Sequence, residues 1–282
     1  MTSLLPPTWH PALVGALVVV AVAYAVATSR PSNEATPSER WRFVGGITVL
    51  YVACAWPLGD LAAHVSLTAV VLQRLLLMLA AAPLVVTAMP VALLAAVTRP
   101  RAVDAVSHAL GHPAVAIVIV TVVGTATLVP AVVTWVSSSD AAGAVVVATT
   151  LLVGLVLWWP ILGRAPGSRR LSYIAKGAYM MAASLVVTSL SFIWIFSRHT
   201  LYPSLSHQHA IVAMSPIVDQ QLAGYVSKLG AYLPMWIVAF VLFVKAGDGG
   251  DDDGATLRWV DVQRELERVD RCGGPSAESD PS

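Results

Sequence analysis

The chain has 282 residues, 57% of them hydrophobic and 12% charged, with a formal net charge of +1. Soluble domains carry about 25% charged residues, so an ordinary soluble domain is excluded and the composition, with a mean hydropathy of +0.74, is that of a polytopic membrane protein. The near-neutral balance, with no basic block, leaves no case for nucleic acid as a partner and makes the lipid bilayer the first one.

A bilayer core of about 30 Å takes about 20 apolar residues as helix. Backbone groups in lipid must be satisfied within their own segment, so the spans should all be helices. Seven stretches qualify, running Pro11–Thr28, Phe43–Ala63, Leu67–Val97, Ala114–Val136, Ala142–Leu162, Ile174–Phe196 and Leu222–Val244. The third is long enough to tilt. Pro57, Pro83, Pro130 and Pro234 should kink or end turns. The N-terminus has no basic region before its apolar stretch, which predicts a retained first span and not a cleaved signal peptide. The expected fold class is therefore all-α, with residues 1–245 forming a seven-span membrane domain.

Basic residues in short loops set the orientation. Arg30, Arg40 and Arg42 follow the first span, Arg99 and Arg101 the third, and Arg164, Arg169, Arg170 and Lys176 the fifth. The alternate loops are poor in Lys and Arg. This pattern predicts the N-terminus outside, the C-terminus in the cytoplasm and the chain in a bacterial inner (plasma) membrane. Residues 246–282 should form a cytoplasmic tail, largely disordered, with Thr256–Arg271 as a candidate short surface helix. Cys54 lies in an apolar run and Cys272 in the tail, so no disulfide is expected, and no CxxC pattern exists.

No Ser-His-Asp arrangement, phosphate loop or HExxH motif is present, so the sequence gives no case for an enzyme. The orientation gathers polar residues on the extracytoplasmic side. They include Asp60, His64, His199, His207, His209, Met214, Asp219, Gln220 and Gln221. Histidine and methionine are good copper ligands, and the stretch from His199 to Gln221 reads either as a copper-holding loop or as interfacial loop residues. Asp219 reads either as a functional carboxylate or as a helix cap.

Gln73 and Arg74 lie about two turns inside the third span. An intramembrane charge costs about 2.5–3.5 kcal/mol on insertion scales. One reading has Arg74 snorkelling to the outer surface or paired with Asp60 or Asp219; the other makes it an anion or substrate site.

Several segments resemble, in order, the seven-span CtaG family of assembly factors for caa3-type cytochrome c oxidase. They are Trp56–His64 (WPLGDLAAH), Pro83–Pro90 (PLVVTAMP), Trp158–Ser172 (WWPILGRAPGSRRLS), Tyr179, Tyr202-Pro203 and Asp219–Gly224 (DQQLAG). The resemblance implies a non-enzymatic role in oxidase maturation, copper as the cofactor, and an oxidase subunit or copper chaperone as partner. Where the family reads His-Met-x-x-His in the third span, this chain has Val70, Val71, Leu72, Gln73 and Arg74. Tyr225, Val226, Ser227 and Lys228 replace the family's Met-Trp pair. These departures point to a divergent scaffold that has lost metal binding as the alternative, with a small membrane transporter as a third reading.

Overall fold

The computed structural model describes residues 10–163, 171–206 and 214–247, and among them every regular element is helical. In chain order these are α1 (Pro11–Thr28), α2 (Pro37–Cys54), α3 (Leu58–His64), α4 (Leu67–Leu75), a π-helical turn over Leu76–Ala81, and α5 (Ala82–Ala88). Then follow α6 (Val91–Thr98), α7 (Arg101–Leu110), α8 (Pro113–Ala126), α9 (Pro130–Ser138), α10 (Asp140–Leu162), α11 (Tyr173–Val187), α12 (Ser189–Phe196), α13 (Pro203–Ser206) and α14 (Pro216–Gly247). Five continuous helical stretches are each long and apolar enough to cross a bilayer. The bent pairs α2–α3 and α7–α8 bring the number to as many as seven.

The boundaries have local causes. α2 starts in a capping box: Thr36 accepts from the Glu39 N–H, Glu39 accepts from the Thr36 N–H, and Pro37 takes the first turn, where no N–H is needed. Pro57 ends that helix, and α3 continues at 43°.

Inside the third span the Ala82 N–H reaches back five residues to the Leu77 carbonyl. The next such bond, to Met78, would come from Pro83, which has no N–H. The indole of Trp158 supplies the missing donor, with Nε1 2.9 Å from the Met78 carbonyl. α10 can approach that closely because residue 154 is glycine. A Cβ there would lie 2.8 Å from Met78 Cα and 2.9 Å from Ala82 Cβ.

Two sequence expectations are corrected. The third span does not run unbroken to Val97; it ends at Ala88, Pro90 follows, and α6 is a separate helix. A proline cannot donate into the preceding turn, and it biases Met89 to an extended backbone, which is what is found. Residues 101–110, read as loop, form the amphipathic helix α7, set at 90° to α8.

The side-chain contacts sort into two ends. At one end His10 meets Asp60, Ser66 meets Asp219, and Tyr202 meets Leu128. At the other end Tyr24 meets Ala88, Arg42 meets Thr87, and Trp159 meets Ser107. Between them lies a core in which Met78, Leu157, Met180, Ala231 and Met235 are buried. α1 is peripheral. Its only buried residue is Thr28, and Tyr24 stacks on Phe43 at 3.8 Å between ring centroids.

Candidate functional site

The densest polar cluster lies at the first of these ends, where α14 starts. Asp219 sits in the first turn of α14 and is 2% exposed. Its carboxylate does not cap its own helix. Oδ1 accepts from Ser66 Oγ at 2.6 Å and from the Thr68 N–H at 3.3 Å, and Oδ2 accepts from the Leu67 N–H at 2.7 Å.

Residues 67 and 68 are the first two of α4, so the carboxylate satisfies donors that a helix N-terminus leaves without an intrahelical partner. Ser66 completes the cap by accepting from the Ala69 N–H. Thr68 Oγ1 donates back to the Asp219 carbonyl at 2.9 Å. Two spans distant in sequence are thus clamped by one side chain.

Gln220, 3% exposed, performs the same service for a loop. Its Oε1 accepts from the Leu201 N–H at 2.8 Å, and its Nε2 donates to the His199 carbonyl at 3.2 Å. The loop then turns Tyr202 inward. The Tyr202 hydroxyl donates to the Leu128 carbonyl at 2.7 Å and accepts from Trp194 Nε1 at 3.2 Å. Burial raises the Tyr202 phenol above its ordinary range, which keeps the donating proton in place. A recess of about 210 Å³ of empty space lies against Asp219, Gln220 and Thr200.

The other residues singled out from the sequence fall around this clamp unevenly. Asp60 lies in the first turn of α3, with His10 Nε2 3.3 Å from its carboxylate. His64 is half-buried in the last turn of the same helix. The His199 side chain is exposed, and it is the backbone carbonyl of His199 that Gln220 engages. Gln221 and Met214 are half-buried. His207 and His209 lie outside the described residues, as do the tail helix Thr256–Arg271 and the acidic run before it. Among the described residues, no group of three or more His, Cys, Asp or Glu side chains is placed to share a metal ion.

Gln73 and Arg74 belong to a different level of the bundle. Gln73 Nε2 donates to the Ala53 carbonyl at 3.0 Å, tying α4 to the end of α2. Arg74 neither snorkels nor pairs with Asp60 or Asp219. Its side chain is buried; Nη1 donates to Thr127 Oγ1 and Nη2 to the Gly124 carbonyl at 2.8 Å. The reason is axial distance. Asp219 is spent at the level of Ser66, eight residues from Arg74, or roughly 12 Å along the helix at about 1.5 Å per residue. Lys228 does not balance Asp219 either. Its Nζ sits 3.8 Å from the Phe192 ring centroid and 4.5 Å from that of Tyr232.

Sequence reasoning missed Ser66, Thr68, Thr127 and Leu128 as partners. Only Ser66 carried a signal, since serine just before an apolar helical run is a standard cap.

Gly224, the last residue of the DQQLAG segment, has a packing role. A Cβ there would lie 2.6 Å from Ile195 Cγ1 and 2.9 Å from the Ser191 carbonyl. The backbone of α12 cannot yield as a side chain can, so Gly224→Ala should destabilise by about 1–3 kcal/mol through overpacking. Thermal unfolding of the purified variant in detergent checks this; an unchanged Tm would mean that α12 moves freely against α14.

The family model described as cytochrome c oxidase caa3 assembly factor (Caa3_CtaG) matches residues 20–247. No curated protein and no solved structure matches the chain.

Proposed function

Since this chain belongs to the cytochrome c oxidase caa3 assembly factor family, we propose that it assists oxidase maturation as a membrane-embedded scaffold. In this reading its working face is the bundle end built around Asp219 and Gln220, and the basic residues at the opposite end support an extracytoplasmic position for it. The observation that carries the scaffold reading is the use to which the DQQLAG residues are put. Asp219 and Gln220 are consumed in holding α4, α14 and the 199–202 loop in one arrangement. The exposed surface beside them, with His199 at its edge, is the face we assign to contact with an oxidase subunit.

Copper is the cofactor that the family resemblance implies, and the described residues do not suit it. At the third-span position Gln73 and Arg74 hold backbone and hydroxyl oxygens of neighbouring spans, and a guanidinium cannot ligate a metal. His64 and His199 sit at the same end without belonging to a group of three or more described His, Cys, Asp or Glu side chains placed to share a metal ion. No step of the proposed role is therefore routed through copper.

Deleting the gene should lower the amount and activity of assembled oxidase, and the wild-type chain should restore both. A variant carrying His207→Ala and His209→Ala should restore them equally well. Failure of that variant, inserted at the wild-type level, would replace the scaffold reading with copper carriage by the 199–221 loop. Normal oxidase in the deletion strain would remove the maturation role itself.

A further inference from the structure

The residue that the clamp does not use is Arg74, and it borders a second cavity of the bundle. The empty space there, counting the open mouth, is about 480 Å³. Its polar lining is Arg74, Thr125, Ser189 and Ser227; the rest is Val, Leu, Met, Gly and Trp.

Arg74 is 8% exposed. A guanidinium offers five N–H donors, and two of Arg74's have acceptors among the described residues, both of them uncharged. The ion pairs among those residues are His10–Asp60 and Arg40–Glu34, so no carboxylate neutralises Arg74. A buried cation without a counter-charge is costly unless an anion reaches it.

The cavity also has a way in from the side. Span six breaks at Thr188, between α11 and α12, where the cavity lining passes from Val187 to Ser189. Ser189 is exposed, and Thr125, Val186 and Leu190 are partly so. The neighbouring outward residues are apolar: Val122, Leu185 and Phe192 are 63%, 58% and 51% exposed. A mouth framed by such residues opens towards lipid and not towards water. Lys228 lies over Phe192, one helical turn beyond Ser189, and adds a second cation on that flank, with no carboxylate partner among the described residues.

We propose that this cavity binds the anionic head of a membrane amphiphile, a carboxylate or phosphate ester carrying an acyl chain. Arg74 receives the oxyanion through paired N–H donors, and the chain lies against the apolar lining and leaves through the mouth beside Ser189. The site stands independently of the role in oxidase maturation.

The test uses the full-length protein purified in a neutral detergent, with thermal unfolding as the readout. Oleate or dodecyl phosphate should raise Tm by several degrees, while oleyl alcohol and inorganic phosphate should not. Arg74→Gln should abolish the shift and Arg74→Lys should keep part of it. Ser189→Trp, a change at the exposed rim of the mouth, should block the shift measured from that variant's own starting Tm. Equal protection by oleyl alcohol would overturn the proposal, because the charge would then be irrelevant. So would equal protection by inorganic phosphate, because the acyl chain would then contribute nothing. A full shift retained in both Arg74→Gln and Ser189→Trp would place binding elsewhere.

Discussion

Replacing Asp219 by alanine should cost about 3–5 kcal/mol of stability. The carboxylate is 2% exposed and serves three donors: the Ser66 hydroxyl and the N–H groups of Leu67 and Thr68. Alanine leaves them at a buried helix start with nothing to accept them, and each unsatisfied donor costs about 1–3 kcal/mol. Asparagine should recover little. It keeps one acceptor oxygen but turns an amide N–H₂ towards donors that both carboxylate oxygens now serve. Ser66 plays the smaller part: apart from its bond to the carboxylate, its oxygen accepts from the Ala69 N–H and so caps α4. Ser66→Ala should therefore cost less, about 1 kcal/mol as a lost cap, and the double variant should be less destabilised than the sum. Thermal unfolding of the three variants in detergent measures this coupling. Strict additivity would mean that Asp219 and Ser66 act separately and that the clamp is not one unit. Losses of this size also lower steady-state amounts in cells, so oxidase assembly should fall with the Asp219→Ala protein level and not ahead of it.

The spans were legible because lipid demands long apolar helices, and hydropathy reports that directly. The bounds of α1 were read as Pro11–Thr28, as found, and α10 differed from its expected start by two residues. The prolines were legible as breaks. What each break would become was not, since that depends on who supplies the lost hydrogen bond. At Pro83 the donor is the indole of Trp158, from a different span. α7 was missed for a different reason: it is short and carries Arg101, Asp104, Ser107 and His108 among its apolar residues, so a hydropathy window reads it as loop. Its Val103, Val106 and Leu110, at helical spacing, were the available sign.

The candidate site was legible in its residues and not in its pairings. The DQQLAG segment pointed to Asp219 and Gln220, yet their partners at 66–68 and 199–201 come from other elements, and no local rule connects them. The expected Arg–carboxylate pair failed on the same ground. Opposite charges in a membrane invite pairing on paper, but helix rise puts Arg74 and the Asp219 clamp at different depths.

Arg74 gives the second large effect, and its sign is opposite. Arg74→Met should leave the fold as stable as the wild type or raise its stability by up to about 4 kcal/mol, the upper range for exchanging a buried ion for an apolar residue of similar volume. Both acceptors now used by the guanidinium keep a partner without it. The Thr127 hydroxyl already donates to the Gly124 carbonyl at 2.9 Å, a bond that does not depend on the guanidinium's own donors. Methionine fills similar space and removes a cation that no carboxylate among the described residues offsets. Alanine instead should destabilise by about 2–5 kcal/mol, because it enlarges a cavity already beside the residue. The Met and Ala variants thus separate charge from packing. A destabilised Arg74→Met protein would mean that the two hydrogen bonds to α8 and its end outweigh the burial of charge, making Arg74 a brace. A stabilised one would mean that the chain carries an arginine its fold does not require, and an intramembrane charge kept at a cost is the signature of a bound counter-ion. In saturating dodecyl phosphate the wild type should gain on the Arg74→Met protein and narrow or reverse the difference, because only the wild type has a charge for the anion to meet.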